Sequence, residues 1–149
     1  MGVSGQRGFT LIEMLLSVGL ISVLAALSLP LYASFNSRND LDLQTQDVAG
    51  MLRRAETYAY TMNGDSNWGV KVQSGSATLF KGVSYATRDT TADETDSIPS
   101  TITLGGSISE VVFTKFTAAP NTTGTITLTH TATNDVRTIT LNAKGMVDY

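Results

Sequence analysis

GFTLIEMLLSVGLISVLAALSLPLYASF, residues 8–35, is the stretch on which the reading of the fold turns. Before it stands MGVSGQRG, residues 1–8, short, polar and glycine-rich, with one positive charge at Arg7. The apolar run then begins abruptly at Phe9, and residues 14–37 carry no Asp, Glu, Lys or Arg. A run of roughly 20 apolar residues can span a bilayer as a helix. Arg7 on the leader side favours the cytoplasm for the N-terminus, which leaves the larger remainder outside. An ordinary secretory signal would end in a small-residue cleavage site. None closes the run cleanly, although Ala25, Ala26 and Ala33 keep that alternative open.

Glu13 is the anomaly in this run. A carboxylate inside an apolar helix costs about 2.5–3.5 kcal/mol at the helix centre on insertion scales, and less near an end. Two readings fit. Glu13 snorkels to the interface, or it meets a positive partner supplied by another chain. Cleavage after Gly8 would create such a partner, because a new amine would appear at Phe9 and could neutralise Glu13 of a neighbour within a helical bundle.

Gly8-Phe9-Thr10-Leu11-Ile12-Glu13, followed by an uncharged helix, resembles the class III signal of type IV pilins and type II secretion pseudopilins. The resemblance implies that a prepilin peptidase cuts after Gly8 and methylates Phe9, and that Glu13 is the carboxylate used in assembly. Pro30 matches too, since such helices often carry a proline at that distance from the cut. Proline removes a backbone hydrogen bond and kinks or locally melts a helix. On this reading residues 1–8 are a leader, residues 9–35 a transmembrane and filament-core helix, and residues 36–149 a head that keeps the second half of the helix.

Asn36-Ser37-Arg38-Asn39-Asp40 is the polar stretch where the chain leaves the membrane, either a helix break or the first solvated turn. Beyond it Leu41, Val48, Leu52, Ala55, Ala59 and Met62 recur at steps that mark one face of an amphipathic helix. Asn63-Gly64-Asp65 then stops it. The pattern predicts one helix from about residue 9 to 62, apolar all round in its first half and one-sided in its second.

From Trp68 the period changes to two. Residues 68–72 and 77–81 read as a hairpin, and residues 125–131 and 137–142 as a second one. Residues 101–104 and 110–116 are further strands. Frequent threonine suits strands with one wet face. The predicted class is α+β, a long helix packed on an antiparallel sheet. Arg88–Asp96, RDTTADETD, reads as a solvated acidic loop. Its Asp89, Asp93, Glu94 and Asp96 are conceivable calcium ligands, but their spacing follows no calcium-loop pattern. Asn121-Thr122-Thr123 is a sequon by pattern and reads as a turn.

The composition excludes several functions. With no Cys there is no disulfide or thiol chemistry, and one histidine, His130, argues against a transition-metal site. His130 lies in TITLTHTAT and reads as a structural strand residue. A net charge of -3 gives no general attraction to nucleic acid. No nucleophile–base pair or paired acids suggest catalysis, so no enzyme activity and no cofactor are expected.

The head also resembles the GspH/FimT-like minor pilins and pseudopilins. The carriers are Leu52-Arg53-Arg54-Ala55-Glu56, Trp68-Gly69-Val70, Val112-Phe113, Gly124–Leu128 and Arg137–Val147. Major pilins of many Gram-negative bacteria close a C-terminal loop with a disulfide, which this Cys-free chain lacks. Some FimT-like proteins bind DNA through basic residues near the C-terminus. Here that region offers only Lys144 and Arg137, beside Asp148, too few for a phosphate-contacting patch. The resemblance implies a minor filament subunit held in the inner membrane by one helix with its head outside the cytoplasm. Its expected partners are other pilin or pseudopilin subunits, the prepilin peptidase and an inner-membrane assembly platform, with nucleic acid not expected. Alternatives are a filament-tip module that binds DNA, a surface or a secreted substrate, and a Cys-free major pilin.

Overall fold

A computed structural model describes residues 8–149; the side chains of residues 27–36 lie outside that description. The first element is α1, Leu11–Tyr60. Eight strands follow: β1 Trp68–Gln73, β2 Ser76–Lys81, β3 Asp89–Ser97, β4 Ile102–Gly106, β5 Glu110–Phe113, β6 Gly124–His130, β7 Val136–Leu141 and β8 Val147–Asp148. The class is α+β, as the change of period at Trp68 indicates. The chain divides into two compact units, residues 1–36 and 37–149.

In the second unit, two antiparallel sheets carry the head. One has the order β3-β2-β1-β5, the other β4-β6-β7-β8. Both hairpins read from the sequence form: Val70 faces Leu79 between β1 and β2, and Ile126 faces Ile139 between β6 and β7. The helix contributes Leu41, Val48, Leu52, Ala55 and Ala59 to the core, as its spacing predicts, together with Ala49 and Met51. Against them pack Val70, Val72, Leu79 and Phe113 of one sheet and Ile126, Leu128, Ile139 and Leu141 of the other. Thr45 is also buried in α1 and satisfies its hydroxyl by donating to the Leu41 carbonyl at 2.7 Å.

The outer face of the first sheet has its own small cluster. Phe80 is fully buried and crosses the position of Gly69, its partner on β1. Tyr85 covers Phe80 edge-on at 5.6 Å, Arg88 lies over the Tyr85 ring at 3.7 Å, and Asp93 holds Arg88 at 2.8 Å.

Four expectations are corrected. Residues 89–97 are not a loop but the edge strand β3, paired with β2 from Ser76 to Leu79 and again at Lys81. The composition hid it because an edge strand pairs through backbone on one side only, leaving its side chains largely in water. Its carboxylates do not converge: Asp93 binds Arg88, Glu94 binds Arg54, and among the described residues no group of acids has the arrangement of a metal site. Met62 does not continue the apolar helix face. It lies beyond Tyr60 with φ 55° and is 47% exposed. The strand expected over 110–116 ends at Phe113, because Phe116 turns into left-handed backbone at φ 72°. The helix begins at Leu11 rather than Phe9, because Thr10 caps it.

His130 is buried at the end of β6, and its Nδ1 accepts the Ala132 N–H at 3.3 Å. That is the structural role expected for it.

Candidate functional site

The first unit holds the residues singled out for processing and assembly. Thr10 accepts the Glu13 N–H on its side-chain oxygen at 3.3 Å and on its carbonyl at 3.1 Å. Thr10 is therefore the N-cap of α1, and Glu13 occupies the third helical position. A carboxylate there faces the positive end of the helix dipole, which stabilises it by about 0.3–1 kcal/mol at an exposed site. The sequence signal for this cap, a threonine followed three residues later by glutamate, lies at Thr10 and Glu13 at the start of the apolar run.

Among the described residues no cation lies within ion-pair distance of the Glu13 carboxylate. Its neighbours point outward as well. Phe9, Leu11, Ile12, Met14, Leu15, Leu16, Val18, Leu20, Ile21, Val23 and Leu24 are all more than half exposed. Ser17 and Ser22 donate back to the carbonyls of Glu13 and Val18, so their hydroxyls present no unsatisfied donor to an apolar neighbour. A helix apolar all round is stable only when something apolar surrounds it. Gly8 is open: a Cβ built there meets nothing within 4 Å. The fold of this chain does not require glycine at that position.

Among the described residues no helix is long and apolar enough to cross a membrane. The expected spanning stretch, residues 9–35, includes residues 27–35, whose side chains lie outside the description; the backbone is helical through the expected kink at Pro30.

In the head, the segment Leu52–Glu56 explains itself by geometry. Arg54 crosses to Glu94 of β3 at 2.7 Å, whereas Arg53 donates to the Val147 carbonyl of β8 at 3.0 Å and lies over the Tyr149 ring at 5.0 Å. Two successive arginines thus tie α1 to one edge of each sheet. Arg137 donates to Asp42 at 2.6 Å and Arg38 to Asp135 at 3.3 Å, fastening the β6–β7 turn to α1. Arg137, weighed above as a possible phosphate contact, is engaged by that carboxylate. Gly145 turns at φ 84° with the Glu56 carboxylate against it, since a Cβ there would lie 3.0 Å from Oε1. Partial burial pushes the Glu56 carboxyl up from its ordinary value, and the nearby Arg53 only partly offsets this.

Residues 3–29 match a family model described as the prokaryotic N-terminal methylation motif. Two fimbrial proteins of Pseudomonas aeruginosa are each 33% identical over 55 residues, which is 37% of this chain and 36% of theirs. The type IV major alpha-pilin of Moraxella bovis is 38% identical over 55 residues, 37% of this chain and 32% of its own. The chain spans about a third of the length of these curated relatives. The solved structure of the minor pseudopilin EpsH from the type 2 secretion system of Vibrio cholerae covers 73% of this chain and 94% of its own with a TM-score of 0.56. At 10% identity that likeness is one of fold. A pilin-type N-terminal methylation motif, pilin relatives along the N-terminal third and a pseudopilin-like architecture together identify the chain as a pilin- or pseudopilin-like protein.

Proposed function

We propose that the chain is a minor structural subunit of a type IV pilus-like or type II secretion pseudopilus filament, of the GspH/FimT-like kind. The observation that carries this reading is the exposed surface from Phe9 to Leu24, apolar but for Thr10, Glu13, Ser17 and Ser22, which a single chain in water has no means of covering. A prepilin peptidase cuts after Gly8, and the open surroundings of that glycine suit a residue demanded by an enzyme rather than by the fold. The new Phe9 amine of one subunit then faces the Glu13 carboxylate of another. Before assembly the helix of residues 9–35 holds the chain in the inner membrane with the head outside the cytoplasm, where the assembly platform receives it. The chain itself is not an enzyme and needs no cofactor; the work is done by adding and removing subunits.

The test is quantitative mass spectrometry of filaments sheared from native cells, alongside the membrane fraction. The expected result is a trace of this chain in the filaments, starting at Phe9. Dominance in the filaments would make it a major pilin. Absence there with a Phe9 start in the membrane points to the secretion pseudopilus. A mature chain that still carries residues 1–8 refutes the processing scheme. The Glu13→Ala variant should insert in the membrane normally yet fail to assemble; normal incorporation would remove the pairing role.

A further inference from the structure

Among the described residues, five other than glycine take a positive φ. Four of them lie in two loops that touch: Met62 (55°) and Asp65 (52°) after α1, and Phe116 (72°) and Ala118 (51°) after β5. Left-handed backbone is sterically strained for any residue with a Cβ, and such strain persists only where the surroundings enforce it. Here they do. The Ala59 carbonyl accepts both the Met62 N–H at 3.2 Å and the Phe116 N–H at 2.9 Å. The Lys115 N–H donates to Asn67 Oδ1 at 2.9 Å, and Lys115 Nζ meets Asp65 Oδ1 at 2.9 Å.

This strain does not bury anything large. Phe116 is 67% exposed, Tyr60 66% and Met62 47%, all three within one or two residues of groups bonded at the Ala59 carbonyl. The fold holds two aromatic rings and a methionine out in water on two stapled loops, an arrangement that gives an isolated chain no benefit. Such side chains are those that dominate protein interfaces, methionine by adapting its shape and aromatic rings by their area. The charges around these side chains balance: Asp65 pairs with Lys115, and Glu56 and Lys144, of opposite sign, line the same depression as Tyr60. A surface for nucleic acid or an anionic membrane needs unpaired cations; a neutral apolar patch is complementary to another uncharged protein surface.

We infer that Tyr60, Met62 and Phe116 form a docking surface for the head of a neighbouring pilin-like chain. This rests on the filament reading above. The strain separates docking from folding. In Phe116→Gly, glycine is at ease at φ 72°, so the full-length protein in detergent should melt about 2–5 °C higher, on the scale of Tm shifts for a domain of this size. Its share in sheared filaments, or in complexes with pilin-like chains solubilised from membranes, should fall at least ten-fold. Phe116→Asn, which also tolerates left-handed backbone, should keep its Tm and show the same loss of incorporation. Unchanged incorporation of either variant overturns the inference, and so does a drop in Tm for both, which would make Phe116 a support of the fold. In a Thr117→Cys chain, otherwise free of cysteine, a short thiol-to-amine crosslinker should join a pilin-like chain, and attachment to an unrelated protein or to none would also overturn it. If the wild-type chain itself is absent from filaments and from such complexes, it is the filament reading that fails.

Discussion

Gly69→Ala should destabilise the head by about 1–2 kcal/mol, although alanine is the better strand residue in isolation. Glycine within a strand costs roughly 0.5–1 kcal/mol relative to alanine, so an open site would gain by the change. Gly69 is not open. It is buried in the central strand β1, opposite Phe80 of β2 and Val112 of β5. A Cβ there would stand 2.6 Å from Phe80 Cζ and 2.6 Å from the Val111 carbonyl oxygen. Carbon atoms in good contact sit about 3.5–4.0 Å apart. Phe80 has nowhere to swing, because it is fully buried beneath Tyr85. Overpacking of this kind costs about 1–3 kcal/mol, which exceeds the propensity gain and sets the net figure. The assay is urea unfolding of the full chain in mild detergent, followed by fluorescence of Trp68, the lone tryptophan, which packs edge-on against Tyr58 at 4.8 Å. A double-mutant cycle with Phe80→Leu isolates the ring's share: the two changes together should cost less than their sum by about 0.5 kcal/mol or more. A Gly69→Ala protein as stable as wild type would refute the close-approach argument, and strict additivity would shift the blame to the Val111 carbonyl alone.

Leu52→Ala removes a fully buried side chain where α1 meets the core, and should cost about 2–5 kcal/mol in the same assay; a loss below 1 kcal/mol would mean that the helix is not seated as described. Glu56→Gln tests the raised carboxyl. The folded chain holds that proton more tightly than the unfolded one, so wild-type stability contributed by Glu56 is lost as pH rises from about 4.3, the ordinary carboxyl value, through the raised folded value. The variant lacks this term, so the stability difference, variant minus wild type, should grow with pH across that window and then level off. Asp65 and Asp89 are shifted downward, by Lys115 and Thr91 respectively, and their opposite slopes cancel in the comparison. A difference that shrinks with rising pH would contradict burial as the cause.

The parts of the fold that were legible in the sequence are those where one face meets the core. Leu41, Val48, Leu52, Ala55 and Ala59 show helical spacing because all five insert into the same core. The Thr125–Leu128 and Thr138–Leu141 segments alternate because one side of each is wet. β3 was illegible for the converse reason: an edge strand with both faces largely in water carries no apolar alternation, and RDTTADETD reads as a loop. The surface at Tyr60, Met62 and Phe116 was illegible because Phe116 lies about a third of the chain beyond the other two, and the loops meet only in the fold, at the Ala59 carbonyl and at Lys115. At the N-terminus the match to the methylation motif was legible from Gly8 to Glu13 as a set. The cap supplied by Thr10 has its signal in the spacing of Thr10 and Glu13, and the apolar run around it outweighs that signal.

The two arginine ties at Arg53 and Arg54 have a mechanical consequence. Tension entering the head along α1 at Ser37 must slide the Leu41–Ala59 face past both sheets at once. It must also break the clamps to β3 and β8 together with the ion pairs at Asp42 and Asp135. Contacts loaded side by side share the force, whereas contacts peeled one after another each bear the whole of it. The head is therefore arranged to resist pulling along its helix far better than prying away from its edges.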